Sequence, residues 1–223
     1  MAPEPLLLIT IDGPAGAGKT TVSKMLAREL GYRYLDTGAL YRAVAYEVRA
    51  ADISPDDDPG LCDVCGTLQL SVEENRLVSN GVDITGRIRS PEITMLASAV
   101  SAHPMVRQAL LDIQREIGRT RGLVAEGRDM GTVVFPEADL KFFLDATVRQ
   151  RAFRRFEQYG KENNQSLEQI EQDIRSRDEN DSSRDIAPLR PAGDAVIIDS
   201  TAIIARQVVA LMMARVRKGR DAK

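Results

Sequence analysis

Histidine occurs once, at His103, and cysteine twice, at Cys62 and Cys65. A zinc site needs about four ligands, so the C-x-x-C pair lacks the partners to complete one. A redox role would place the pair at the start of a helix in a thioredoxin-like unit, and the surrounding sequence shows no such unit. The two therefore read as reduced thiols in a small subdomain. A marked excess of either charge is also lacking. A net charge of −3 from 30 basic and 33 acidic side chains gives no basic field for nucleic acid. Met1-Ala2-Pro3-Glu4-Pro5 carries no basic side chain and the apolar run after it is short, so neither a secretory signal nor a membrane span is expected. Without a signal, the glycosylation pattern Asn164-Gln165-Ser166 carries no meaning. Repeats and low-complexity segments are missing. These absences make a cytoplasmic protein without membrane or nucleic-acid partners the default, and a monomer is expected. Its 223 residues, 43% hydrophobic and 28% charged, suffice for one sizeable α/β domain with insertions.

What the chain does have begins at Gly13-Pro14-Ala15-Gly16-Ala17-Gly18-Lys19-Thr20, a complete G-x-x-x-x-G-K-[ST] phosphate loop. It follows the apolar run Leu6–Ile11 and opens an amphipathic helix with Val22, Met25, Leu26 and Leu30 on one face. Glycines let backbone N–H groups curl around phosphate oxygens, and the helix N-terminus adds partial positive charge. Lys19 can reach the β- and γ-phosphates, and the Thr20 hydroxyl can ligate Mg²⁺. The loop, extended to Thr21, predicts binding of a nucleoside triphosphate.

Apolar runs at Pro5–Ile11, Tyr32–Leu35, Leu123–Ala125, Leu140–Leu144 and Ala195–Ile198 alternate with helical patterns. That alternation predicts a five-stranded parallel sheet with helices on both faces. The clusters 12–20, 36–42 and 126–129 then fall at carboxyl ends of strands, where such sheets bind ligands, and Asp145, Asp199 and Ser200 end the other two. Residues 52–60, with Asp56-Asp57-Asp58 between Pro55 and Pro59, read as a breaker stretch. Leu68–Val72, Arg76–Val78 and Val82–Ile84, with turns at Glu73-Glu74-Asn75 and Asn80-Gly81, predict a small antiparallel insert. Helices resume near Pro91 and Pro104. After Asp145 come a basic helix, a polar loop Tyr159–Ser166 and an acidic helix over 167–179, and Ser200 or Thr201 can cap a final helix.

Phosphoryl transfer between nucleotides gathers negative charge that arginines must offset. Arg151, Arg154 and Arg155 share one helix face, and Arg177, Asp181 and Arg184 share another if that segment is helical. Both groups flank the polar loop, as two stems of a mobile lid would.

Three segments carry a resemblance. Asp36-Thr37-Gly38-Ala39-Leu40-Tyr41-Arg42 resembles the D-[ST]-G-A-[IL]-Y-R segment of bacterial cytidylate (CMP) kinases. Gly127-Arg128-Asp129-Met130-Gly131-Thr132-Val133-Val134-Phe135-Pro136 matches that family's G-R-D-M-G-T-V-V-F-P, and Arg177-Asp178-Glu179-Asn180-Asp181-Ser182-Ser183-Arg184 resembles its R-D-x-x-D-S-x-R stretch. The resemblance runs from about Ile9 to Thr201. It implies transfer of the γ-phosphate of ATP to CMP or dCMP with Mg²⁺. It also implies a nucleoside monophosphate kinase core (1–36, 121–150 and 190–223), an NMP-binding domain with the β insert (37–120) and a lid (151–189). By resemblance, the CMP phosphate is held by Thr37, Arg42, Arg128 and Arg184. The base is read by Ser98, Arg107 and Asp129, and the ribose is held by Arg177 and Asp181. Lys19, Arg128 and Arg184, together with Arg151 and Arg155 from the basic helix face, form the expected catalytic set. A carboxylate at Asp129 can accept from the exocyclic amine of cytosine and would repel the oxygen uracil offers there.

Two departures stand out. Thr20-Thr21 replaces the Gly-Thr or other small pair of many relatives, and Asn180 replaces a basic residue of some lids. Three rivals are a shikimate-type or uridylate-type kinase, a GTP switch and a dead phosphate loop. The first is disfavoured by Asp129 with Arg107, the second by the lack of an N-K-x-D motif, and the third by intact Lys19 and Thr20.

Overall fold

The computed structural model describes residues 5–73, 76–159 and 165–221. Residues 1–4, Glu74 and Asn75 of the predicted turn, residues 160–164 of the polar loop, and with them Asn164 of the glycosylation pattern, lie outside the described residues. The order is β1 (Leu8–Asp12), α1 (Lys19–Leu30), β2 (Arg33–Asp36), α2 (Thr37–Ala50), α3 (Asp58–Thr67), β3 (Leu70–Glu73), β4 (Arg76–Ser79) and β5 (Val82–Asp83). Then come α4 (Pro91–Val100), α5 (Pro104–Arg119), β6 (Leu123–Gly127), a π-helical turn Met130–Val134, β7 (Leu140–Asp145), α6 (Val148–Tyr159), α7 (Leu167–Ser183), β8 (Val196–Asp199) and α8 (Ala205–Asp221).

The chain divides into two compact units, Met1–Leu35 with Thr120–Lys223, and Asp36–Arg119. In the first, five strands lie in the order β2-β6-β1-β7-β8. Strand β1 pairs in parallel with both β6 and β7, and β7 with β8. The predicted parallel sheet is therefore present, with β1 at its centre. Every residue of β1 and of β6 is buried, which explains why these strands read as continuous apolar runs. Ile9, Ile11, Phe142 and Leu144 form a core with Val22 and Leu26 of α1 and with Val208, Val209 and Met212 of α8. Register then aligns the strand ends. Asp12 stands opposite Gly127, and Asp145 opposite Asp199, so the polar strand ends form one row.

The second unit carries helices α2 to α5 and the antiparallel sheet β3-β4-β5, whose second hairpin turns at the predicted Asn80-Gly81. Three readings need correction. The breaker stretch contains the start of α3: Asp57 caps it by accepting from the Gly60 N–H at 3.2 Å, and Pro59 occupies its first turn, where a missing N–H costs nothing. Cys62 and Cys65 ride on this helix as free thiols. Neither Ser200 nor Thr201 caps α8, which begins later at Ala205. Gln207 Oε1 instead accepts from the Ile204 N–H at 3.0 Å, and Ser200 is turned inward. The acidic helix also runs on to Ser183, so Arg177 and Asp181 are helical.

Candidate active site

The phosphate loop leaves β1 at Gly13, whose φ is +148°. A Cβ there would stand 2.0 Å from the Leu144 carbonyl oxygen of the neighbouring strand, so only glycine fits. Gly18, with φ +91°, is the N-cap of α1, and no side chain caps the helix. The first N–H groups of α1 are thus left for an anion. Lys19 is buried and folds back on the loop, donating from Nζ to the carbonyls of Gly13 at 2.7 Å and Pro14 at 2.8 Å. Burial first, and then the nearby Arg128 guanidinium, push its pKa down to about 7, against the opposing pull of Glu126 and Asp12. Thr20 is half-buried one residue further along α1, and Thr21 is exposed.

Asp12, which sequence reasoning left within a cluster without a role, joins this loop to the Gly127–Pro136 segment. Its carboxylate accepts from the backbone N–H of Met130 at 2.9 Å and of Gly131 at 2.7 Å. It thereby caps the π-helical turn that begins after Asp129. Burial raises its pKa to about 6, against the two backbone N–H groups, which lower it. Asp129 is itself buried, and its charge adds to the rise at Asp12. Arg128 and Asp129 therefore stand at the carboxyl end of β6, tied to the strand that feeds the phosphate loop.

Helix α7 brings a second charged group to the same place. Its buried face reads Ile170, Ile174 and Asp181, with the half-buried Asp178 between the last two at helical spacing. The stripe thus changes from apolar to acidic toward the C-terminus. Asp181 accepts from Arg128 Nε at 2.8 Å and also pairs with Arg184, the C-cap of the helix. Burial pushes its carboxyl up, but Arg128 and Arg184 outweigh this and hold it below the usual carboxylate range. Arg177 is close enough to add to that hold and to disfavour the Lys19 charge.

The basic helix α6 also contacts the phosphate loop. Arg151 is buried and donates from Nη1 to the Ala15 carbonyl at 2.9 Å and from Nε to the Ala146 carbonyl at 2.8 Å. Its Nη2 lies 2.6 Å from Asp178 Oδ2. Arg154 binds Ser200 through both the hydroxyl, at 3.0 Å, and the carbonyl. The Ser200 hydroxyl lies 3.0 Å from the Asp145 carbonyl and 3.4 Å from that of Ala17, so the last strand end is fastened to the loop as well. Arg155 is half-buried on the same helix. From sequence alone, Ser200 reads as a strand end and a helix-cap candidate, and Asp178 only as part of the Arg177–Arg184 motif; neither receives a role at the phosphate loop. The usable signal for Ser200 was its position at a strand end in the ligand-binding row.

In the second unit Thr37 is the buried first residue of α2, and Asp36 caps that helix by accepting from the Ala39 N–H at 3.0 Å. The other oxygen of Asp36 accepts from Arg42 Nη2 at 2.9 Å, while Arg42 Nε is buried and has no partner among the described residues. Ser98 is half-buried on α4. Arg107 is buried on α5, donates to the Ser101 carbonyl at 3.1 Å and stands over the Tyr41 ring at 5.6 Å. The first unit thus brings together Lys19, Arg128, Asp129, Arg177, Asp181 and Arg184, and the second carries Thr37, Arg42, Ser98 and Arg107.

A family model described as cytidylate kinase matches residues 9–218. The chain belongs to the cytidylate kinase family. A cytidylate kinase of Geobacter sulfurreducens is 46% identical over 217 residues, which cover 95% of this chain and 93% of that protein. One of Coxiella burnetii is 44% identical over 223 residues, covering 96% and 94%. Among solved structures, a shikimate kinase from Acinetobacter baumannii superposes with a TM-score of 0.51 at 18% identity, over 96% of this chain and 95% of that one. At that identity the likeness is one of fold alone. Cytidylate kinase family membership makes the chain a phosphotransferase enzyme with a phosphate-loop kinase fold.

Proposed function

We propose that the chain transfers the γ-phosphate of ATP to CMP or dCMP, giving CDP or dCDP and ADP, with Mg²⁺ accompanying the ATP. One observation carries the reading beyond family membership. Asp12, at the end of the phosphate-loop strand, holds the two backbone N–H groups that directly follow the Arg128-Asp129 pair, and the Arg128 guanidinium is near enough to Lys19 to help lower its pKa. Groups suited to a phosphate donor and groups suited to a cytosine nucleotide thus stem from adjacent strand ends.

Residues 13–21 would cradle the ATP phosphates, Lys19 would exchange its two loop carbonyls for β- and γ-phosphate oxygens, and the Thr20 hydroxyl would ligate Mg²⁺. Among the described residues that hydroxyl makes no hydrogen bond, which suits it to the role. Arg128, Arg151, Arg155 and Arg184 would offset the charge spread over the transferring group. Thr37 and Arg42, with Arg128 and Arg184, would hold the acceptor phosphate. Ser98, Arg107 and Asp129 would read the base, and Arg177 and Asp181 the ribose. No general base is required, because the attacking atom is already a phosphate oxygen anion. Segment 151–189 would act as the lid, 37–120 as the acceptor-binding domain, and the rest as the core of a cytoplasmic monomer.

The test is a coupled ADP-release assay with ATP–Mg²⁺ and CMP, dCMP, UMP, AMP, GMP or shikimate. Strong turnover with CMP and dCMP and little with UMP is expected. Preference for another acceptor would keep the phosphate-loop kinase and overturn the base site.

A further inference from the structure

Helices α6 and α7 are held together by an apolar cluster of Ala152, Ile170 and Ile174, with Val148 and Leu167 packed against it. One polar contact continues this contact surface toward the phosphate loop, the pair between Arg151 and Asp178 at 2.6 Å. It is largely buried, with side-chain exposures of 4% and 20%. The pair is poorly designed for stability. Asp178 Oδ1 is buried and accepts no hydrogen bond among the described residues, and a half-filled buried carboxylate costs more than an apolar side chain would.

The pair is better understood through what Arg151 does. A guanidinium has five N–H groups in one plane. Among the described residues, Ala146, Ala15 and Asp178 take one each from Nε, Nη1 and Nη2. Two contacts would leave the plane free to pivot about the loop, and the third, from α7, fixes it. That leaves one N–H on each terminal nitrogen without an acceptor among the described residues.

We propose that Asp178 is a positioning residue for phosphoryl transfer, holding the Arg151 guanidinium in its working plane on the phosphate loop. The proposal rests on the phosphotransfer role of Arg151 in the proposed function. Asp178 also adjoins Arg177 and precedes Asp181 on α7, so the same helix that carries acceptor-binding groups sets the donor-side arginine.

The test is a double-mutant cycle in kcat, with KM for ATP and for CMP measured alongside, using Asp178→Asn, Arg151→Lys and the double variant. Asp178→Asn should lower kcat about tenfold, as small misplacements of a catalytic group do, with both KM values within about twofold. In the Arg151→Lys background the same change should have no further effect. An unchanged kcat in Asp178→Asn overturns the proposal, and so does an undiminished loss in the Arg151→Lys background, since Asp178 would then act by another route. If Arg151→Lys alone leaves kcat unchanged, the role of Arg151 itself fails, and with it this proposal. Thermal unfolding of all three variants separates these outcomes from loss of fold.

Discussion

Asp12 accepts a hydrogen bond from the Gly131 N–H at 2.7 Å across 119 residues of chain. With the second bond, from Met130, it fixes where Arg128 and Asp129 leave the sheet. Loss of a buried acceptor strands its donors at about 1–3 kcal/mol each. Asp12→Ala should therefore destabilise the fold by roughly 2–5 kcal/mol in denaturant unfolding. The pH dependence is distinctive. The folded-state pKa of about 6 lies above the usual 3.8, so the folded protein binds a proton that the unfolded chain has lost. The stability this contributes is full below about 3.8 and is lost as the pH rises through about 6. Asp12→Asn should thus trail the wild type by more at pH 5 than at pH 7.5. An equal or smaller deficit at pH 5 contradicts this account of Asp12.

Lys19→Ala should cost about a hundredfold or more in kcat, because the charge on the transferring group loses its partner. Near-normal turnover in a folded variant would defeat the mechanism. Proton linkage gives an independent check. The free-enzyme pKa of about 7 should rise when ATP surrounds Lys19 with negative charge. ATP binding should then take up a proton, and affinity should fall as the pH climbs above about 7. Calorimetry at pH 8 in buffers of different ionisation enthalpy reads this uptake, and a buffer-independent heat, corrected for ATP's own protonation, argues against it.

Two loop glycines should differ in their tolerance of alanine. At Gly13 the added methyl meets the Leu144 carbonyl at 2.0 Å, and strands cannot part cheaply in a packed sheet. At Gly18 nothing lies within 4 Å of a Cβ, so only the left-handed backbone resists. Gly13→Ala should cost at least about 3 kcal/mol and Gly18→Ala about 1–2 kcal/mol. Equal melting temperatures for the two would contradict the structure.

The phosphate loop and the central strands were legible because their signals are local: a glycine pattern, apolar runs and the helical period. Helix α3 was not, since Asp57 and Pro59 read equally well as loop punctuation or as a cap and a first-turn proline. Asp12 shows a different limit. Its partners lie 118 and 119 residues away, and only the pairing of β1 with β6 brings them within reach. Ser200 had the composition of a helix cap, and the closeness of Asp145, Ala17 and Arg154 gave it another use. Arg151, Arg154 and Arg155 were correctly placed on one helix. Two of them also support the loop and its surroundings from within, which spacing along a helix cannot reveal.

The base site is the central claim, and the ratio of kcat/KM for CMP to that for UMP, measured in wild type and in Asp129→Ala, tests it most directly. A carboxylate that accepts from the cytosine amine and repels the uracil oxygen is worth about 1–3 kcal/mol of discrimination. The account predicts a wild-type ratio well above one that drops about tenfold or more in Asp129→Ala, mainly through loss of CMP turnover. A ratio unmoved by the substitution would contradict it and place the reading of the base elsewhere.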